Sequence, residues 1–161
     1  MTGAYDSNYL DNARVSLARM LDFAVHDLRY DIDKFFTLFI KSSYAKKFEI
    51  GDPRTIVGMS GIELAYAIIK EVALIDAEEA WLYDENYNYY SPVRYRVKPQ
   101  FTFERSREYW AGGALAYYQW VSLLKFRHIV QYVPPSAIRE MYDVYHELDI
   151  SQFIGHMDEL L

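Results

Sequence analysis

The chain contains no cysteine. That excludes disulfides and thiol catalysis and fits a reducing, cytoplasmic setting. Its first residues, Met1-Thr-Gly-Ala-Tyr-Asp, lack a basic region followed by an apolar run, so no signal peptide is expected there. No apolar run approaches the roughly 20 residues needed to span a bilayer. Basic residues are in the minority, 17 against 23 acidic ones, and the formal charge is −6. This argues against direct nucleic-acid binding and against anionic lipid, both of which need clustered Lys and Arg.

Catalytic patterns are missing too. There is no G-x-S-x-G, no H-E-x-x-H and no Gly-rich loop with a following lysine. His146, Glu147 and Asp149 could suggest a metal site, but no H-E-x-x-H or C-x-x-C pattern supports it, and a boundary histidine beside a helix cap is the favoured explanation. The pairs Asp22 and Asp27, Asp31 and Asp33, and Glu78 and Glu79 read as solvent-facing or capping carboxylates. Gly58-Met-Ser-Gly61 at a helix start offers free amides to an anion, but a helix cap accounts for Ser60 fully. No catalytic residue, metal or cofactor is expected, and the chain reads as a non-enzyme.

What is present is the composition of a folded globule. Of its 161 residues, 52% are hydrophobic and 25% charged, enough for a single domain that buries its own core without staples. Apolar residues at Leu10, Ala13, Leu17, Met20, Leu21, Ala24 and Leu28 mark an amphipathic helix over 7–28, with Asp6 or Ser7 as its cap. Asp31 caps a second helix to about Ser42, and 43–50 continues as a short one that breaks at Gly51-Asp52-Pro53. Residues 54–59 read as a loop or a short extended piece. Ser60-Gly-Ile-Glu63 is a capping box for a helix to about Leu74.

Ser106 begins another helix, in which Gly112-Gly113 costs about 1–2 kcal/mol in propensity. Close approach of a neighbouring helix or of a ligand would offset that cost, and the helix is the favoured explanation. Residues 126–133 form a short element, Pro134-Pro135 opens a helix running past Tyr145, and Asp149 caps the last one. Apolar and polar residues alternate only at 93–103. The expected fold is therefore mainly α: a single-domain bundle of about six helices over 1–161. It carries an acidic, tyrosine-rich insertion at 76–103 that includes a small β-hairpin or strand near 93–103.

Sixteen tyrosines are many for this length, and tyrosine gives large, stiff contact area with a polar tip. They concentrate at 83–95, beside an acidic run without Lys or Arg. Glu78, Glu79, Asp84, Glu85, Tyr83, Tyr87, Tyr89, Tyr90 and Tyr95 are the candidate residues for a protein partner. A second acidic run, Glu140, Asp143, Glu147, Asp149, Asp158 and Glu159, also lacks bases. Arg94, Arg96, Lys98, Arg105 and Arg107 form a basic stripe. Tyr109, Trp110, Tyr117, Tyr118 and Trp120 are the candidate wall of a ligand pocket, although their helical spacing suits a core equally well. The strand at 93–103 and an apolar end at Phe153, Ile154, Leu160 and Leu161 invite self-association, so a homodimer is expected.

Three segments together carry a resemblance: Gly58-Met-Ser-Gly-Ile-Glu-Leu, Glu108-Tyr-Trp-Ala-Gly-Gly-Ala-Leu-Ala-Tyr-Tyr-Gln-Trp and Met141-Tyr-Asp-Val-Tyr-His-Glu-Leu-Asp-Ile-Ser-Gln-Phe. The chain resembles a poorly characterised domain family of Gram-positive gut bacteria and their mobile elements. In many members a helix-turn-helix DNA-binding domain follows, and the family looks like part of toxin–antitoxin-type gene clusters. The helix-turn-helix part is not among these 161 residues, so direct transcriptional control is not expected. The resemblance implies a partner-binding domain, the neutralising half of a defence or counter-defence pair. The function expected is an acidic, non-enzymatic inhibitor of a protein partner, antitoxin-like or anti-CRISPR-like, whose target is a basic nucleic-acid-processing enzyme or toxin. The alternative is a small-molecule-binding or enzymatic helical domain with an aromatic pocket.

Overall fold

The computed structural model describes residues 3–73 and 106–161. The expected strand at 93–103 lies outside them. Helix α1 (Leu10–His26) is the central element, and it packs on α5 (Gly61–Ile68) and α6 (Arg107–Ser122). Helix α2 (Ile32–Lys41) crosses the same core and leads into α3 (Ser43–Glu49) and α4 (Pro53–Ile56). The remaining helices are α7 (Phe126–Tyr132), α8 (Pro135–Glu140), α9 (Tyr142–Tyr145) and α10 (Ile150–Leu160). Among the described residues there is no strand, and no helix is long and apolar enough to cross a membrane.

The α1–α6 seam is built from small residues. Gly112 and Ala116 share one face of α6, and both are buried, as are Ala13 and Ala18 of α1. A methyl group on Gly112 would overlap the Leu17 carbonyl oxygen and lie 2.7 Å from the Ala18 Cα. Gly61 plays the same part at the start of α5, where a Cβ would lie 2.6 Å from the Met20 nitrogen. Phenylalanines fill the volume on the other side. Phe36 and Phe39 of α2 meet Phe126 edge-to-face at 5.7 and 5.4 Å, and Phe39 meets Phe48 at 5.8 Å. Such geometry adds to what burial alone contributes.

Helix starts are fixed by polar side chains. Asp6, Asp31, Ser42, Asp52, Ser106 and Asp149 each accept from a backbone amide of the turn they open, and Ser60 with Glu63 forms the full capping box. Three further carboxylates cap helices other than their own. Asp33 of α2 accepts from the Ser136 amide at 2.8 Å and hydroxyl at 2.5 Å, in α8. Glu49 accepts from the Phe126 amide at 2.7 Å, opening α7. Glu71 accepts from the Ser43 amide at 2.9 Å and hydroxyl at 3.0 Å, opening α3.

The described residues hold ten α-helices, more than the six expected, because local hydrogen bonding divides the longer segments. Residues 54–59 are not all loop: Asp52 caps Pro53–Ile56 into one helical turn. The helix from Ser60 leaves α geometry at Ile69 and widens into a π-turn (Ile69–Ala73). The first helix begins after a 3₁₀ turn (Ser7–Tyr9) and stops at His26, three residues before Arg29 takes a positive φ. The run from Pro134 divides at Met141 into α8 and α9. At the chain's end Phe153 and Met157 are fully buried, so of the apolar residues expected to drive self-association only Leu160 and Leu161 are exposed.

Gly112→Ala should therefore cost on the order of 1–3 kcal/mol by overpacking the seam. Gly155→Ala on α10, where nothing lies within 4 Å of the added methyl, should gain about 0.5–1 kcal/mol. Urea unfolding of the two variants checks the opposite signs.

Candidate functional site

A single step along α6, about 100° of rotation, separates two uses of adjacent glycines. Gly112 faces α1, whereas a Cβ on Gly113 would find only ordinary contacts, 3.7 Å to the Arg14 oxygen and 3.9 Å to the Ala18 Cβ. Gly113 lies at a cleft of about 570 Å³ between α1, α6 and the α9 region. Asp11, Arg14, Val15 and Ala18 reach it from one face of α1, at the i, i+3, i+4, i+7 spacing of a helical stripe. Tyr109 and Trp110 reach it from α6, and Tyr142, His146 and Glu147 from α9 and the turn that follows. The volume is that of a ligand or side-chain pocket.

The walls are stacked. The Tyr142 and His146 rings lie 4.0 Å apart and 9° from parallel, and the Arg107 guanidinium covers Tyr142 at 5.3 Å. His146 Nδ1 donates to the Tyr142 carbonyl at 2.6 Å, which fixes the ring. Arg107 also donates to both oxygens of Asp143, at 2.8 and 2.9 Å. Trp110 stands edge-on to Tyr142 at 6.0 Å and to Phe153 at 5.4 Å, so the core supports one side of its ring while the other borders the cleft. Arg14 lies over the Tyr117 ring at 5.0 Å.

The five aromatic residues expected to wall a pocket do not stay together. Tyr109 and Trp110 line the cleft, and Tyr117 lies about two helical turns farther along, where it packs against Trp120 and Arg14. Tyr118 points into the core and donates its hydroxyl to Asp158 at 2.8 Å; burial, then that bond, push its pKa upward. Trp120 donates its indole N–H to the Tyr5 carbonyl at 2.8 Å and pins the N-terminal segment. Positions 117 to 120 lie two to three turns beyond 110, past the end of the cleft. Glu78, Glu79, Asp84, Glu85, Tyr83, Tyr87, Tyr89, Tyr90 and Tyr95 lie outside the described residues.

A buried polar group beyond the cleft was not legible from the chain. Asp22, expected on a solvent face, is only 6% exposed, and accepts from the Ser106 hydroxyl at 2.5 Å. Ser106 in turn caps α6 by accepting from the Tyr109 amide at 2.9 Å. Glu108, 7% exposed, accepts from His26 Nε2 at 2.7 Å and from Arg139 at 3.3 Å. The partners are 84, 82 and 31 residues apart, so no local pattern announces them. This group ties α1, α6 and α8 together. Among the described residues no three His, Cys, Asp or Glu gather in a way that could hold a metal ion.

The two acids should respond to pH in opposite senses. Burial pushes Asp22 upward, and the Ser106 bond and nearby cations only partly offset it. Burial also opposes ionisation of Glu108, but there the bond from His26 and the charge of Arg139 prevail and hold its carboxyl below the usual 4.5. A lowered folded-state value contributes stability that is complete above the unfolded-state value and is lost as pH falls through the folded one; a raised value does the reverse. Glu108→Gln should thus be destabilising near neutral pH and converge on wild type in acid. Asp22→Asn should be neutral to stabilising near neutral pH and lose that advantage in acid. Chemical denaturation across pH 3–7 checks both.

No family model, no curated protein and no solved structure matches the chain.

Proposed function

We propose that this chain is a non-enzymatic, acidic protein-binding module that inhibits or neutralises one basic protein partner. The observation that carries it is the edge formed by 140–149. Val144 is 62% exposed and Leu148 49%, and they stand one helical turn apart among Glu140, Asp143, Glu147 and Asp149. Apolar side chains left in water inside a charged rim are the pattern of a binding surface, with apolar anchors supplying affinity and the rim supplying on-rate and selectivity. The cleft adjoins this edge through Tyr142, His146 and Glu147. Its Tyr109 and Trp110 rings, together with the Asp11 and Glu147 carboxylates against the single Arg14, suit a Lys or Arg side chain of the partner. The acidic, tyrosine-rich sequence at 76–95 supplies further contacts of the same kind in this proposal. The family resemblance favours a partner from a defence or toxin system, with antitoxin and anti-CRISPR inhibitor as two members of one physical class.

The test begins with a partner captured from the host and purified. Val144→Ser with Leu148→Ser should weaken its binding about tenfold or more, mainly through faster dissociation, without lowering the melting temperature. Changing Glu78, Glu79, Asp84 and Glu85 to amides should slow association and flatten its salt dependence, because exposed charges act over a Debye length of roughly 8 Å at physiological salt. Binding unchanged by both sets would refute the proposal.

A second proposal, a small-molecule site, draws on the cleft itself, whose walls include Tyr109 and Trp110. Here a metabolite screen should find a ligand that quenches Trp110 fluorescence saturably. Gly113→Leu, which fills the cleft, should abolish the quenching while the fold is retained; quenching that survives Gly113→Leu would place the ligand elsewhere.

A further inference from the structure

Another groove, of about 660 Å³, shares no lining residue with the aromatic cleft. It runs between the end of α2, helix α3 and the start of α7. Lys41 is the last residue of α2, Lys46 and Lys47 lie on α3, and Lys125 and Arg127 flank the first residue of α7. Five cations thus converge on one groove in a chain whose net charge is −6. None of the five forms an ion pair among the described residues.

The groove also contains Glu49 and Glu71, and both have other work. Glu49 accepts from the Phe126 amide, and Glu71 from the Ser43 amide and hydroxyl, so each carboxylate is directed at a helix start. Even counting their charge in full, the groove keeps an excess of three positive charges. Gathering like charges without counter-ions opposes folding, and an anion that fills the space relieves it. Lys47 is already held in place, its ammonium 4.9 Å above the Tyr44 ring.

We propose that this groove binds a compact, phosphate-rich anion of small-molecule size. The volume falls within the range of small-ligand pockets, and lysines acting as point charges beside one Arg fork are phosphate-binding chemistry. Among the described residues no aromatic side chain lines the groove, so no base is read by stacking. The phosphates carry recognition, and ligands with different bases on the same phosphate chain bind alike. The inference is independent of the protein-binding proposal, since it uses none of the same residues.

The test uses the full chain with sodium tripolyphosphate and with ATP and GTP, followed by thermal unfolding and titration calorimetry. Each ligand should raise the melting temperature saturably by about 2–4 °C or more, where sodium chloride at equal ionic strength does not. ATP and GTP should differ by less than about twofold. A variant with Lys46→Gln, Lys125→Gln and Arg127→Gln should bind tripolyphosphate at least about tenfold more weakly. Its melting temperature without ligand should be equal to or above that of wild type, because the repulsion has been removed. A chloride-matched effect overturns the proposal, as does undiminished binding by the triple variant. It is likewise overturned if tripolyphosphate fails to bind while affinity for single-stranded oligonucleotides climbs with their length, which would make the groove a track for a polymer backbone.

Discussion

At Gly112 the backbone of α6 comes so near Leu17 and Ala18 of α1 that a methyl group has no room. Most of the molecule is arranged around that contact. Small residues, Ala18 of α1 and Gly112 of α6, let the two backbones meet, and much of the aromatic bulk goes elsewhere, into the phenylalanine cluster of α2, α3 and α7. The contact also sets where the cleft can be. One residue beyond the seam, Gly113 leaves the floor open, and Tyr109 and Trp110 line the same cleft as Asp11 and Arg14. The helix-propensity cost of two adjacent glycines is thus offset by close packing at the first and by open space at the second.

Acidic residues outnumber basic ones, yet acidity is a poor guide to what a given surface presents. Many carboxylates are engaged at helix starts: Asp6, Asp31, Asp52 and Asp149 within their own turns, and Asp33, Glu49 and Glu71 across the bundle. Amide donors at a helix start favour a negative charge, so these acids are well placed there. What remains is sorted. The edge around 140–149 carries acids around exposed Val144 and Leu148, while Lys41, Lys46, Lys47, Lys125 and Arg127 collect in a groove of their own. A net charge of −6 is the sum of regions of opposite sign.

The sequence reveals best what is decided within one turn of chain. Asp31, the Ser60–Glu63 box, Ser106 and Pro135 announce their helices because cap and amide are neighbours. The stripe on α1 announces its buried face for the same reason. Sequence reading fails wherever a side chain acts at a distance. Asp33 looks like a surface acid beside a cap, and its partner is 103 residues away. Asp22 looks solvent-facing because a carboxylate usually is, and its burial rests on a hydroxyl supplied by Ser106, 84 residues away. The aromatic run on α6 suggests one wall, but its members divide among cleft, core and the N-terminal segment as the helix turns. Lys41 and Arg127 cannot be seen to share a groove until α2 and α7 are packed.

The carboxylates that cap from afar also bear on how this chain acquires its structure. Helices of six or seven residues, such as α3, α7 and α8, are too short to persist alone in water. Their first turns are completed by Glu71, Glu49 and Asp33, at separations of 28, 77 and 103 residues. The α1–α6 seam is likewise a contact between distant parts of the sequence. A helical protein ordinarily folds fast because its contacts are local. Here α7 and α8 gain their caps only after loops of 77 and 103 residues have closed, whereas α3 also has the local cap of Ser42. The ordering of α7 and α8 is thereby coupled to α3 and α2, whose Glu49 and Asp33 complete their first turns.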